Sequence, residues 1–256
     1  CLDGYFFMEY VLMLEYDGTD FAGSQYQPGC RTVQGSLEQS VSGVATLIKR
    51  AQFASRTDSG VHAVGQIVKI AIDKDLPTDK LQSALNYYLD KDISVKFASI
   101  AQPNFNPRSD AVSRLYTYTI NHGQARSPQN DRFSWQLQSS LAIDMMDQAV
   151  SLLPKDAVDW SPFAGKMPDH YSSIRVLQDI HIESDNDRVK IFVRASGFLP
   201  HQVRRMVGAI QKVGSYKMSI EKFSQLIHGP SHSVQYTAPA KGLNLSEIQY
   251  NMPLFQ

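Results

Sequence analysis

The sequence contains almost no cysteine: Cys1 and Cys30 are the only two in 256 residues. Two thiols exclude a disulfide framework and a four-ligand thiolate zinc site, and no CxxC pair occurs, which fits a reducing cytoplasm. No apolar run approaches the roughly 20 residues that a membrane-spanning helix requires, and the start lacks the basic segment and apolar core of a secretory leader. An excess of either charge is also missing. Lys and Arg number 25, Asp and Glu number 25, so the totals give no pointer to an anionic partner. Neither G-x-G-x-x-G, a Walker pattern nor G-x-S-x-G is present, which leaves nucleotide hydrolysis without a phosphate cradle and serine hydrolysis without a nucleophile elbow.

What is present is a chain able to bury a core, 43% of it hydrophobic, with a length that admits one large domain or two of ordinary size. Residues 1 to 7, ahead of the first methionine Met8, read as a boundary segment. Met8 to Asp17 is rich in aromatic and aliphatic residues and ends at Asp17-Gly18, a strand followed by a turn. Val33, Leu37, Val41, Val44 and Leu47 or Ile48 recur at helical spacing behind Thr32, an N-cap residue type. Gln52 to Arg56 and Gln66 to Ile72 predict strands flanking a polar segment from Thr57 to Gly65; Thr78 caps a predicted helix, and Ile93 to Ile100 predicts a strand. The order β-α-β-β-α-β is that of a ferredoxin-like unit. The second half repeats it: strands at Arg114 to Asn121, Arg175 to Ser184 and Arg188 to Ala195, helices near Asp144 to Leu153 and from His201, a further helix from Ser219, and a closing strand at Leu243 to Tyr250.

The expected fold is therefore α+β, with two ferredoxin-like halves joined into one extended, mixed, mainly antiparallel sheet and helices on one face. The Pro-containing stretch from Asn104 to Ser113 marks the boundary, giving an N-terminal half at 8–103 and a C-terminal half at 109–256. Charge is distributed unevenly. From Arg188 to Lys217 there are seven basic residues and no acidic ones, while Glu183, Asp185 and Asp187 crowd the stretch before. Such a stripe either tracks phosphates or forms a solvated face.

The segment Ser55-Arg56-Thr57-Asp58-Ser59-Gly60-Val61-His62-Ala63 places a carboxylate on a short connection between strands, beside a guanidinium and a glycine. A loop presents an acid to a cleft in this way. Turn chemistry by itself also accounts for Thr57-Asp58-Ser59-Gly60. His62 stands four residues after Asp58 without a third ligand nearby, so it reads as structural and no metal site is expected.

Residues 56 to 66, Arg56-Thr57-Asp58-Ser59-Gly60-Val61-His62-Ala63-Val64-Gly65-Gln66, resemble the motif R-T-D-x-G-V-H-A-x-G-Q of tRNA pseudouridine synthases of the TruA family. The resemblance continues through Leu14 to Thr19 with Phe21 and Gly23, Thr32-Val33-Gln34, Arg114 with Tyr116 and Tyr118, Asp159 to Phe163, Val203 to Gly208 and Ala238 to Leu243. It implies a cofactor-free cytoplasmic isomerase that converts uridine to pseudouridine on the 3′ side of the tRNA anticodon stem-loop. It also implies a homodimer with one tRNA touching both subunits, and an active site in a basic cleft between the halves.

By the same resemblance Asp58 is the catalytic carboxylate, acting as nucleophile or base, and Tyr116 stacks on the flipped base and helps remove the proton from carbon 5. Arg204 is the candidate cation that keeps the carboxylate ionised in a site that excludes water. Arg56, Arg108 and Arg205 are candidate RNA contacts, and Tyr118 reads as core. Base flipping requires a few kcal/mol of unstacking, offset by aromatic stacking and phosphate contacts. The chain departs from the family pattern at Ser24, where many relatives carry an aromatic residue, at Asn106-Pro107 before Arg108, and at His201-Gln202-Val203. These departures touch RNA contact more than Asp58, Tyr116 or Arg204. The competing expectation is a catalytically inactive RNA-binding module on the same fold.

Overall fold

A computed structural model describes residues 7–123, 125, 127–168 and 170–255; the segment ahead of Met8 thus lies, apart from Phe7, outside the described residues. Among the described residues the fold is α+β, with ten strands in mixed but mainly antiparallel pairing and five α-helices. The chain divides into two compact units, one taking the residues up to Val112 together with those from Leu245 on, the other Ser113–Asn244.

The first unit contains β1 (Met8–Tyr16), α1 (Val33–Ser42), β2 (Leu47–Phe53), β3 (His62–Ile72), α2 (Thr78–Tyr88) and β4 (Ile93–Ile100). β1 lies antiparallel between β4 and β3, and β2 pairs antiparallel with β3. β1 is central because Tyr10, Leu12, Leu14 and Tyr16 are all buried, and β3 is buried along most of its length, its polar residues His62, Gln66 and Lys69 included; Lys69 reaches Glu9 at 3.1 Å.

Four details differ from the sequence expectation. β3 begins at His62 and not at Gln66, so the polar segment expected from Thr57 to Gly65 is loop only as far as Val61. α1 ends at Ser42, so Val44 and Leu47 are not on it; Gly43 closes the helix, with Val44 N and Ala45 N both donating to the Val41 carbonyl. Leu47 instead opens β2, which ends at Phe53 and leaves Ala54 to Arg56 in the following loop. Its register against β3 breaks twice, which erased the period-two pattern that a regular strand shows. Thr78 is the first residue of α2 and not its cap: Pro77 holds that position, its carbonyl accepting Leu81 N at 2.9 Å.

The second unit is built on β5 (Ala111–His122), β6 (Trp135–Leu137), α3 (Ile143–Ser151), β7 (Ala157–Asp159), β8 (Ile174–Asp185), β9 (Arg188–Ala195), α4 (Gln202–Gly214) and α5 (Ile220–Ile227). β9 lies antiparallel between β5 and β8, β7 extends the edge at β8, and β6 runs parallel to β5. The three-residue strands β6 and β7 are too short to carry a sequence period, so pattern does not reveal them. Met146 of α3, Met206, Val207, Ile210 and Val213 of α4, and Phe223 of α5 are buried where these helices pack together. The last strand, β10 (Leu243–Tyr250), lies beside β3 in the first unit.

α4 ends in an unusual way. Lys217 N donates to the Lys212 carbonyl and Tyr216 N to the Val213 carbonyl, the paired closure that normally has glycine at the left-handed position. Here that position is Tyr216, at φ 55° and 76% exposed, so its ring gains little from packing and its backbone is strained. Tyr216→Gly is expected to stabilise the protein by about 1 kcal/mol, raising Tm by roughly 2–4 °C; an unchanged or lower melting temperature would contradict the strain.

Candidate active site

The connection from β2 to β3 is tied down at alternate residues. Gln66 of β3 uses its side-chain amide as a surrogate strand: Oε1 accepts Ser55 N at 3.2 Å, and Nε2 donates to the Ser55 carbonyl at 2.8 Å. The same Nε2 lies 3.4 Å from the Tyr16 hydroxyl, which meets Thr57 Oγ1 at 2.8 Å. Ser59 Oγ donates to the Phe21 carbonyl at 3.1 Å. The chain then reverses, with Val61 N donating to the Asp58 carbonyl at 3.1 Å and Gly60 at φ 77°, the third turn position where positive φ favours glycine. Ser55, Thr57 and Ser59 are thus anchored, and between them Arg56 is exposed and Asp58 half-buried.

Gly18 and His62 support the loop from the β1 side. His62 is buried; its Nδ1 accepts the Gly18 N–H at 3.0 Å and lies 3.2 Å from an Asp17 carboxylate oxygen. A Cβ on Gly18 would stand 2.0 Å from the Val61 carbonyl oxygen, so the two backbones touch where only glycine fits. Burial pushes the Tyr16 phenol up to about 12, against the opposing effect of its hydrogen bonds to Thr57 and Gln66. It therefore keeps its proton at neutral pH and remains able to donate. Arg108 belongs to a separate exposed turn, where Asn106 Oδ1 accepts its backbone N–H at 3.0 Å.

In the second unit Tyr116 and Tyr118 share the buried face of β5. The Tyr116 ring meets Phe198 edge to face with centroids 5.3 Å apart. Tyr118, read from sequence as core, does more than fill space. Its hydroxyl donates to the Pro239 carbonyl at 2.7 Å, and a Cβ on Gly242 would fall 2.5 Å from its ring. Arg204 holds the preceding carbonyl, its Nε donating to Ala238 O at 2.9 Å while Ala238 N donates back to the Arg204 carbonyl at 3.0 Å. The two side chains therefore grip consecutive carbonyls of one segment. Burial drives the Tyr118 pKa far above the usual phenol range, and the charge of Arg204 opposes that shift. The run Ala238-Pro239-Ala240-Lys241-Gly242 supplies both carbonyls, the ring contact and, through Lys241 Nζ at 2.9 Å from Asp131, an ion pair.

Arg205 turns the other way. Its guanidinium donates to the Ala164 carbonyl, which also meets His232 Nδ1 at 2.8 Å, and burial lowers its pKa. Half-buried and committed to the turn after Phe163, it braces the fold around Asp159 to Ala164. The basic run from Arg188 to Lys217 is not one stripe. Arg188, Lys190 and Arg194 on β9 stand directly opposite Asp185, Glu183 and Asp179 on β8, each cation facing a carboxylate, while Arg204, Arg205 and Lys212 are on α4. The signal was present in the sequence as acids and bases mirrored about Asn186-Asp187. Among the described residues no group of three or more His, Cys, Asp or Glu side chains could hold a metal ion, and no helix is long and apolar enough to cross a membrane.

Comparison with known proteins matches these same segments. A family model described as tRNA pseudouridine synthase matches residues 12–108 and 158–251. The first span contains Arg56, Asp58 and Arg108 and the second Arg204 and Arg205, with Tyr116 between them. A tRNA pseudouridine synthase A of Geotalea daltonii is 35% identical over 240 residues, covering 93% of this chain and 98% of its own length. Proteins of that name from Shouchella clausii, 32% identical over 94% of this chain and 93% of theirs, and from Aquifex aeolicus, 31% identical over 93% and 98%, agree from end to end. A match of this extent, with the Asp58 loop and the start of α4 inside it, establishes that the chain belongs to the tRNA pseudouridine synthase family.

Proposed function

We propose that this chain isomerises uridine to pseudouridine in tRNA, on the 3′ side of the anticodon stem-loop, in the cytoplasm, without a cofactor and as a homodimer. The observation that carries the reading is the Asp58 loop: a family-matched segment whose odd-numbered residues are anchored and whose even-numbered residues offer a guanidinium and a carboxylate. In the proposed reaction the bond between N1 of the base and C1′ of ribose breaks, the base turns, and C5 bonds to C1′. The proton on C5 is lost and N1 regains one, so atoms balance without water or an oxidant.

Asp58 is proposed as the carboxylate that acts on the flipped nucleotide, Tyr116 as the ring that stacks on the base and assists removal of the C5 proton, and Arg204 as the cation that favours the ionised acid. Arg56, Arg108 and Arg205 are proposed RNA contacts. Arg205 is the weakest of the three, since its guanidinium is already committed to Ala164. Mapping pseudouridine by carbodiimide labelling and primer extension tests the substrate assignment. Transcripts whose 3′-side anticodon-stem uridines are replaced by cytidine are expected to yield no product; undiminished product from them would overturn the assignment, and tRNA binding without product from any transcript would favour an inactive RNA-binding module.

A further inference from the structure

The proposed chemistry depends on where one carboxylate sits, and side chains with no chemical role of their own hold the residue next to it. Thr57, immediately before Asp58, is bound on both backbone groups by Ser24: Ser24 Oγ accepts the Thr57 N–H at 2.9 Å, and the Thr57 carbonyl accepts the Ser24 N–H at 3.1 Å. Its hydroxyl meets that of Tyr16 at 2.8 Å, and Gln66 links Tyr16 to Ser55. Ser24 and Gln66 are fully buried and Thr57 is 7% exposed, so a hydrogen bond deleted here is not simply replaced by solvent. Gly23, at φ 92°, lets the two segments approach; a Cβ there would come within 2.9 Å of the Thr57 carbonyl oxygen.

We infer that Ser24 and Tyr16 are positioning residues for Asp58, fixing Thr57 through its backbone and its side chain so that the adjoining carboxylate is presented in one place. The inference rests on the proposed uridine isomerisation. Removing the Ser24 hydroxyl strands the Thr57 N–H, and the nearest relief is a shift of the loop. Displacement by about 1 Å at a reacting group lowers rates by roughly a hundredfold.

The test compares Ser24→Ala, Tyr16→Phe and the conservative Thr57→Ser in two measurements. One is the single-turnover rate at saturating tRNA alongside tRNA affinity; the other is amide hydrogen exchange of residues 55–60 without RNA. Ser24→Ala and Tyr16→Phe are expected to slow the reaction about ten- to a hundredfold with Kd changed by less than about twofold, and to speed exchange in the loop. Thr57→Ser, which keeps the hydroxyl, should stay within about threefold of the wild-type rate. Wild-type rates in the first two variants, loss of affinity in proportion to rate, or slowed chemistry with unaltered exchange would each overturn the inference. If the wild-type protein makes no pseudouridine at all, the isomerase reading fails separately, and exchange decides the anchoring: faster exchange in Ser24→Ala and Tyr16→Phe supports it, unchanged exchange overturns it.

Discussion

Alanine at Asp58 is expected to abolish pseudouridine formation while leaving the protein folded and tRNA bound. The two halves of that expectation have different physical grounds. Chemistry is lost because no other carboxylate stands on the Asp58 loop, and removing a group that acts directly on the reacting atoms typically lowers the rate by about four orders of magnitude or more. Folding survives because the turn is closed through the main chain, with Val61 N on the residue-58 carbonyl and Gly60 in its positive-φ position, and both features are indifferent to the side chain. Paired measurement of product by primer extension and of tRNA affinity separates the two halves. A variant that retains product would remove Asp58 from the chemistry; one that loses both product and binding would assign it to recognition.

The largest effect on stability is expected at Gly208, on α4. A Cβ built there would lie 1.9 Å from the Tyr236 carbonyl oxygen and 3.2 Å from Ala238 N. Main chain, unlike the end of a flexible side chain, cannot swing aside, so Gly208→Ala must push the segment from Tyr236 to Ala238 off the helix. Alanine favours a helix over glycine by at most about 1 kcal/mol, whereas overpacking of this severity costs about 3 kcal/mol, so the clash decides the sign. With the two effects netted to about 2 kcal/mol, thermal unfolding is expected to shift down by roughly 4–8 °C. The substitution should also disturb Arg204, whose Nε and carbonyl are both bonded to Ala238 across the same contact. A melting temperature within about 2 °C of wild type would show that the backbones do not meet this closely.

The elements that the sequence announced are those whose physics is local. β1 is rich in aromatic and aliphatic residues, α1 begins behind Thr32, whose hydroxyl accepts Gly35 N at 3.1 Å, and the β8–β9 hairpin turns at Asn186 with positive φ. The Asp58 loop was legible because its residue types satisfy a turn and match a motif together. What escaped notice depends on partners distant in sequence. The hydroxyl of Tyr118 is satisfied by Pro239 and the amide of Gln66 by Ser55, so neither tyrosine nor glutamine declares its task at its own position. The cations of β9 looked like an open stripe because the carboxylates that oppose them precede the turn and had not been folded back onto them. β2 was misplaced for a related reason: with two breaks in its register, no stretch of it is long enough to show alternation.

The first unit is discontinuous, since β10 comes to lie beside β3 only after the whole of Ser113–Asn244 has intervened. On a ribosome making about 5–20 residues per second, that interval lasts on the order of ten seconds. Throughout it the stretch of β3 around Gly65, where the Ser246 carbonyl would later press, has no such neighbour, although the same strand leads directly out of the Asp58 loop. An unfilled strand edge invites association with other nascent chains. The order of synthesis therefore delays completion of the strand that leads out of the Asp58 loop until Ser113–Asn244 has been made, and a chain terminated within that segment would contain Asp58 without the β10 neighbour of its unit.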